Sequence, residues 1–411
     1  MIYNESDITA IENSLRRFTG WLNAYGDLSH DRMDFLGSRF GIFTKRLFYK
    51  NRLIGAPFAL FALIQEAFLP SIMKIYAKPS REAIADAHYA MGFMNLYEIT
   101  DNREYLARAE SYLSELLKSS LPGYSGHCWG YRFHWVSSDR QWPAGTPFIT
   151  VTPYPFRAFV RHYQITGEES SREVALSAAE FALKDVRHLV TPEGIGCTSY
   201  SVNDNRYIVN ANTYRAATLL EAWEMTKDPL LKDEAEMNLK FVLHYQNSDG
   251  SWFYEAIGER DRFIDNFHTA LVLRDLAKCY HFTSESAIRE AVIKGYAYYR
   301  KNLFRKDNTP LHLSEIKNNK LRKYEMYDYA EGISLGTELD DLIPGALRFS
   351  SLLANDLITR FQLNDGHFVT RVNSLGMRNL VPYHRWPQSQ LFHALTRLLG
   401  KVKTDKPGIN N

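Results

Sequence analysis

The sequence predicts an all-α fold: a closed ring of helix hairpins, an (α/α)6 toroid, with short β segments in the loops between hairpins. Three observations predict it. Four stretches repeat one pattern and close on Thr100, Thr166, Thr226 and Thr283, at intervals of 66, 60 and 57 residues. Each is followed by a second stretch with apolar residues at helical spacing and charges between them. Glycine-aromatic segments recur between the hairpins: Gly126–Tyr131, Gly194–Tyr200, Asp249–Tyr254 and Asp365–Val369. Glycine marks a tight turn there, and the aromatics that follow suit a short extended run. A lone helix hairpin cannot bury its apolar face, so such units stack on one another.

In chain order, the periodicity predicts a first helix over Ser6–Ala24. The run at 53–69, LIGAPFALFALIQEAFL, is apolar but is interrupted by Pro57, Gln65 and Glu66, and it is too short for a span of about 20 residues. Four hairpins follow. Their first helices begin near Ala87, Thr152, Ala211 and His268, and their second helices cover Tyr105–Leu117, Glu173–Leu183, Leu231–Tyr245 and Ala287–Leu303. A fifth, looser unit runs from Glu331 to Arg371. A last helix, Gln388–Leu399, forms half of a sixth hairpin that the N-terminal helix can complete. The organisation expected is an N-terminal helical extension over 1–82, the toroid over 83–400 and a flexible tail over 401–411. Six units with unlike ends favour closure over an open solenoid.

Composition narrows the function classes. Hydrophobic residues at 45% and charged residues at 23% exclude wholesale disorder and a polytopic membrane protein. A net charge of +2 gives no support for a dedicated nucleic-acid binder. The balance hides one asymmetry. Between Arg39 and Arg81 stand eight Lys or Arg against Glu66 alone, +7 in all. Basic charge beside an apolar helix suits an anionic membrane surface, so residues 40–80 are a candidate membrane contact; the plain alternative is a buried helix with solvated flanks. Cys128, Cys197 and Cys279 are far apart and odd in number, which argues against a disulfide framework or a zinc ribbon. With a polar, acidic N-terminus, the expectation is a cytoplasmic protein, peripheral at the inner membrane if residues 40–80 dock there. Aromatic residues reach 14%, enough to line a surface as well as a core.

Gln246-Asn247-Ser248-Asp249-Gly250-Ser251-Trp252 fits the Q-x-x-x-G-x-W motif of the prenyltransferase and squalene-cyclase repeat, and Gln362–Phe368 is a degenerate copy. Trp129–Trp135, Gly145-Thr146-Pro147, Asn210-Ala211-Asn212, Ile264–Thr269 and Arg385-Trp386-x-Gln388 occur with it in order. Over residues 85–400 the chain resembles bacterial proteins of that superfamily found with surface-polysaccharide biosynthesis genes. The resemblance implies an α/α toroid of the six-hairpin glycosidase kind and a role with exo- or capsular polysaccharide. The D-x-D-D proton donor of squalene–hopene cyclases is missing, since Glu338-Leu339-Asp340-Asp341 does not match it. Isoprenoid chemistry is therefore not implied.

In a toroid of this kind, the loops leading into the inner helices meet at one mouth. Asp265 lies just before a predicted helix with His268 three residues on; the pair reads either as a cap or as an oriented proton-transfer pair. Asp328 and Glu331, also three apart at a helix start, read as a capping box or as paired carboxylates that divide acid and base roles. Trp129, Tyr131, Trp135 and Tyr154 are candidate sugar platforms or packing residues. Asn210, Asn212, Arg385 and Gln388 are candidate sugar ligands, with arginine suited to a uronate carboxylate or a diphosphate. No metal site is expected, because the Asp265–His268 pair offers too few ligands. The phosphate-loop, dinucleotide, nucleophile-elbow and H-E-x-x-H motifs are missing, and no cofactor is expected. The function expected is acid/base chemistry on a glycan: epimerisation, elimination or hydrolysis. The rivals are a non-catalytic binder of a lipid-linked glycan or polyprenyl carrier, and a scaffold for glycosyltransferases.

Overall fold

In a computed structural model, which describes residues 5–75, 77–137, 140–258, 261–314 and 322–404, six helices form a closed inner ring. They are α4 (Ala83–Thr100), α6 (Pro153–Thr166), α8 (Val209–Thr226), α10 (Asn266–Thr283), α12 (Met326–Glu338) and α14 (Ser389–Thr404). Each packs on the next, and α14 packs back on α4, so the toroid is closed. Five outer helices complete their hairpins: α5 (Arg103–Ser119), α7 (Glu169–Lys184), α9 (Pro229–His244), α11 (Ser286–Asn302) and α13 (Ala346–Phe361). The sixth outer position belongs to α1 (Glu5–Tyr25), which lies against α13 and α14. The inner helices are buried nearly all round in their first three turns, whereas the outer ones bury one stripe. The fifth hairpin starts earlier than the sequence suggests, at Met326, which puts Asp328 and Glu331 inside the first two turns of α12.

The recurring threonines have a physical cause. The Oγ1 hydroxyls of Thr100, Thr166, Thr226 and Thr283 donate to the carbonyls four residues back, at Leu96, His162, Ala222 and Cys279. Each then accepts the N–H two residues on, at Asn102, Glu168, Asp228 and Glu285. The residue between them is left-handed: Asp101, Gly167, Lys227 or Ser284. One hydroxyl thus satisfies groups on both sides of the sharp turn from inner to outer helix.

The Q-x-x-x-G-x-W segment is also a packing device. The Gln246 amide donates to Gly250 O and to Ala291 O on α11, clipping the turn to the next hairpin. Gly250 sits at φ 94°, and a Cβ there would lie 2.5 Å from Lys294 O, so only glycine fits. Gln362 repeats the clip onto Ser14 of α1.

Short antiparallel pairs occupy the loops: β1 (Trp135–Val136) with β2 (Gln141–Trp142), and β3 (His188–Val190) with β4 (Gly196–Thr198). A three-stranded sheet orders β5 (Arg322–Glu325), β6 (Arg371–Asn373) and β7 (Arg378–Asn379). Single bridges join successive loops, Phe148 to Ser201, Ile208 to Glu255 and Asp265 to Leu313, and lace them around the N-terminal ends of the inner helices.

Residues 26–82 leave the ring after α1 and return at α4. They carry α2 (Arg39–Lys50), α3 (Arg52–Phe68) and a 3-10 turn, Pro70–Ile75. The segment is attached on the mouth side. Arg385 pairs with Asp31, Lys45 donates to Val136 O, and Glu66 bridges Arg32 and Arg371. Cys128, Cys197 and Cys279 are buried free thiols. Of the tail placed at 401–411, residues 401–404 belong to α14, and 405–411 lie outside the described residues.

Candidate functional site

The mouth is built on the stretch Ile264–Thr269, in which each residue has a separate task. Asp265 is the N-cap of α10. Its Oδ1 accepts the His268 backbone N–H at 3.2 Å, and its Oδ2 accepts the His268 ring Nδ1–H at 2.7 Å. The cap and the oriented pair are therefore the same residue. Asn266 fixes the stretch to the next hairpin: its amide donates to Leu303 O and its oxygen accepts the Tyr299 hydroxyl. Phe267 packs against Tyr327 and Trp386, with ring centroids 4.9 and 5.3 Å away. With Nδ1 held by Asp265, the open nitrogen of His268 is Nε2. Among the described residues it makes no hydrogen bond, and the side chain remains 21% exposed.

His268 lies against Tyr254, with ring centroids 4.4 Å apart, and Tyr254 stacks on Phe263 at 5.1 Å. Arg206 lies over the Tyr254 ring and is tied to Glu255 and Asp261. Asn210 lines the same cleft as Asp265 and His268. Among the described residues, its buried amide oxygen has no hydrogen-bond partner. The free volume is about 10 Å³, the room one water needs. An orphaned acceptor beside an oriented imidazole is an arrangement that a hydroxyl can complete, because a buried unpaired polar atom costs about 1–3 kcal/mol.

A second His–Asp pair stands next to the first. His312 Nδ1 is 3.0 Å from Asp328 Oδ2, and the backbone of His312 accepts the N–H of Asn266. Burial pushes the Asp328 carboxyl up to about 6, against the pull of His312. Sequence reasoning missed His312; its only local signal is a histidine between Leu311 and Leu313 in a short extended run. Asp328 and Glu331 form neither a capping box nor a carboxylate pair. Glu331 is held instead by Arg274 at 2.7 Å, and burial raises its pKa.

The structure assigns other work to several expected sugar ligands. Trp129 is fully enclosed and donates its indole N–H to Leu116 O, so it packs one hairpin on another and has no face left for a sugar. Asn212 is spent on Thr198 N–H, Ile208 O and Asn238. Gln388 clamps the backbone of Phe368 at both its N–H and its carbonyl. Arg385 makes a bidentate pair with Asp31 at 2.6 and 2.7 Å, both side chains buried. Tyr131 and Trp135 do lie at the mouth, stacked at 5.7 Å, with Arg385 over the first ring and Lys45 over the second. Trp386 is half-buried there, and among the described residues its indole N–H has no partner.

Tyr154 belongs to a different space. It lines a cavity of about 310 Å³ inside the ring, with His88, Arg157, Lys278, His393 and Arg397. Three of its arginines carry their own counterions: Arg157 with Asp275, Arg274 with Glu331 and Arg397 with Glu338, each at 2.7 Å. Burial pushes His88 down to about 3 and His393 well below its ordinary value, so both are neutral. These three pairs form a structural network within the ring. Among the described residues, no group of three His, Cys, Asp or Glu side chains could hold a metal ion.

No family model matches the chain, and no curated protein matches it. Solved structures do. A GH76 alpha-mannanase of Bacteroides thetaiotaomicron superposes with a TM-score of 0.61 at 12% identity, over 80% of this chain and 88% of that one. An unsaturated glucuronyl hydrolase specific for heparin gives 0.58 at 12%, over 78% and 86%. An inactive alpha-1,6-mannanase variant of Salegentibacter sp., in complex with alpha-1,6-mannotetrose, gives 0.56 at 14%, over 79% and 90%. At such identities the likeness shows the fold: a six-hairpin toroid shared with glycan-acting hydrolases. That mannanase variant carries replacements at two adjacent aspartates. The only adjacent aspartates here, Asp340-Asp341, follow the end of α12, on the face away from the mouth.

Proposed function

We propose that the chain is a glycan-acting protein of surface-polysaccharide metabolism that performs acid/base chemistry at the mouth of the toroid. The observation that carries this reading is the Asp265–His268 pair: Nδ1 held at 2.7 Å, Nε2 uncommitted, and Asn210 with an orphaned oxygen in the same cleft. His268 Nε2 takes a proton from the sugar, and Asp265 stabilises the imidazolium that forms. Trp386, half-buried at the mouth, offers an aromatic contact for the ring, and Asn210 accepts a hydroxyl. Taken from the carbon beside a uronate carboxylate, that proton leads to elimination when the 4-linked group leaves, or to epimerisation when a proton returns on the opposite face; in hydrolysis Nε2 takes the proton of the attacking water instead. The fold shared with glycan-acting hydrolases supports the substrate class.

The test is a screen of the intact protein against alpha-1,6-mannan, heparin, alginate and other uronate polysaccharides. Reducing ends, unsaturated uronates and C5 proton exchange are the readouts. Turnover that falls at least about 100-fold in H268A is expected; turnover unchanged in H268A removes the site.

A second reading, non-catalytic binding of a lipid-linked glycan, draws on the narrowness of the cleft. It predicts glycan affinity that depends on Asn210 and Trp386, with no product from any substrate.

A further inference from the structure

The segment 39–75 is a built hairpin with its apolar side outward. Helices α2 and α3 are joined by Asn51 alone, whose Oδ1 caps α3 by accepting Leu53 N–H at 3.0 Å and Ile54 N–H at 3.2 Å. The two helices meet at Gly55, where a Cβ would lie 2.3 Å from Phe48 Cα. The open end of the hairpin is fastened to the ring: Glu66 bridges Arg32 and Arg371, and Asn373 donates to Ala67 O. Among the described residues, no hydrogen bond or ion pair ties Asn51–Ile54 at the tip to the ring.

Of the 17 residues of α3, a helix of mostly apolar residues, only Gly55 and Gln65 are buried. Thirteen of the 24 exposed large hydrophobic residues of the described chain fall between Phe40 and Ile75. Leu53, at the tip, is 89% exposed. Three more, Leu375, Met377 and Leu380, lie on the turn between β6 and β7 or just beyond it, next to the Asn373–Ala67 contact, and extend the surface. An apolar surface of this extent marks an interaction site. Its rim is basic, with Arg39, Lys50, Arg52, Lys74, Lys78 and Arg378 all exposed. The one acid of the segment, Glu66, is turned inward onto its two arginines.

We propose that this hairpin is a membrane-docking surface that seats in the headgroup region of an anionic bilayer. Apolar side chains enter the acyl boundary while the basic rim meets anionic headgroups. A protein partner with an apolar groove would not by itself call for a rim of one sign. At 17 residues, α3 is about 25 Å long, short of a span. No helix among the described residues is long and apolar enough to cross. The hairpin therefore lies in the interface. Because it is fastened on the mouth side, docking sets the mouth near the headgroups. A lipid-linked or membrane-proximal glycan as the substrate class follows from that placement, and this last step alone rests on the glycan reading.

Flotation of the full chain tests the surface without reference to any glycan. The vesicles are phosphatidylcholine alone, or phosphatidylcholine with roughly one-third phosphatidylglycerol. The expected result is flotation with the anionic vesicles, several-fold less with the neutral ones, and release by high salt. L53E/I54E should lose at least tenfold in bound fraction, and K50E/R52E should lose the salt-sensitive part. Both pairs are exposed, and unchanged circular dichroism will show the fold intact. No flotation with either composition overturns the proposal, as does flotation that L53E/I54E leaves unchanged. Light scattering that shows a dimer, dispersed by L53E/I54E in a chain that never floats, assigns the face to a second copy and overturns it equally.

Discussion

Arg385 shows how a residue type that suits a sugar carboxylate can be committed elsewhere. Its guanidinium is 4% exposed and pairs with Asp31, 3% exposed, through two hydrogen bonds of 2.6 and 2.7 Å. This pair ties residues 26–82 to the ring. Removing one partner of a buried ion pair costs about 3–5 kcal/mol, because the other charge is left unpaired. D31N should fall at the low end, near 3 kcal/mol. Asparagine keeps an oxygen for the Met33 N–H and for one guanidinium bond. A reserve carboxyl also stands nearby. Glu82 is pushed up to about 8 by burial and by Asp31, against the pull of Arg385. With Asp31 neutral, Glu82 ionises more readily and takes over part of the pairing. E82Q alone should therefore shift stability by less than about 0.5 kcal/mol, since Glu82 is already protonated at neutral pH, while D31N/E82Q should lose clearly more than the sum of the single changes. Urea unfolding measures all three. In thermal scans a loss near 3 kcal/mol corresponds to about 3–4 °C for a chain of this length. A D31N protein within about 0.5 kcal/mol of the parent would refute the reasoning.

His384 is buried, with Nδ1 against the Tyr89 hydroxyl and Nε2–H donating to Gly26 O, and burial pushes its pKa down to about 4. Between pH 6.5 and 4 the unfolded chain takes a proton that the folded chain refuses, so the parent loses stability there relative to H384Q. That loss should be about 2 kcal/mol between pH 7 and pH 5, and a difference that stays constant with pH would speak against a neutral buried ring. Q388A removes both bonds to the buried backbone of Phe368 and should cost about 2–4 kcal/mol in urea unfolding. A cost below about 0.5 kcal/mol would mean that the strand re-pairs without it.

What could be read from the sequence were the features set by neighbours in the chain. Helix periodicity located the hairpins, and the threonines that close the inner helices are local hydrogen-bonding devices, visible as a repeat before their cause is known. The Asp265–His268 pair is three residues apart and was legible for the same reason. Partners supplied from far away were not. Asp328 and Glu331 have the spacing of a capping box, but one meets His312 and the other Arg274, 57 residues upstream. Arg385 meets Asp31 across most of the chain, 354 residues away. The basic, apolar segment was legible in composition. Which side of it faces solvent was not, because that depends on Glu66 reaching Arg371 and on Gly55 letting α2 and α3 touch.

The central claim is that Asp265 orients His268 for proton transfer at the mouth of the toroid. D265N tests it most directly, with unfolding and turnover measured on the same protein. Asparagine retains an oxygen to cap α10, so stability should change by no more than about 0.5 kcal/mol. Its amide N–H cannot accept from Nδ1, so the ring takes the other tautomer, with its proton on Nε2. The account predicts a near-parental unfolding midpoint with turnover of the glycan substrate lowered at least about 100-fold. A D265N protein with parental stability and parental turnover would contradict it.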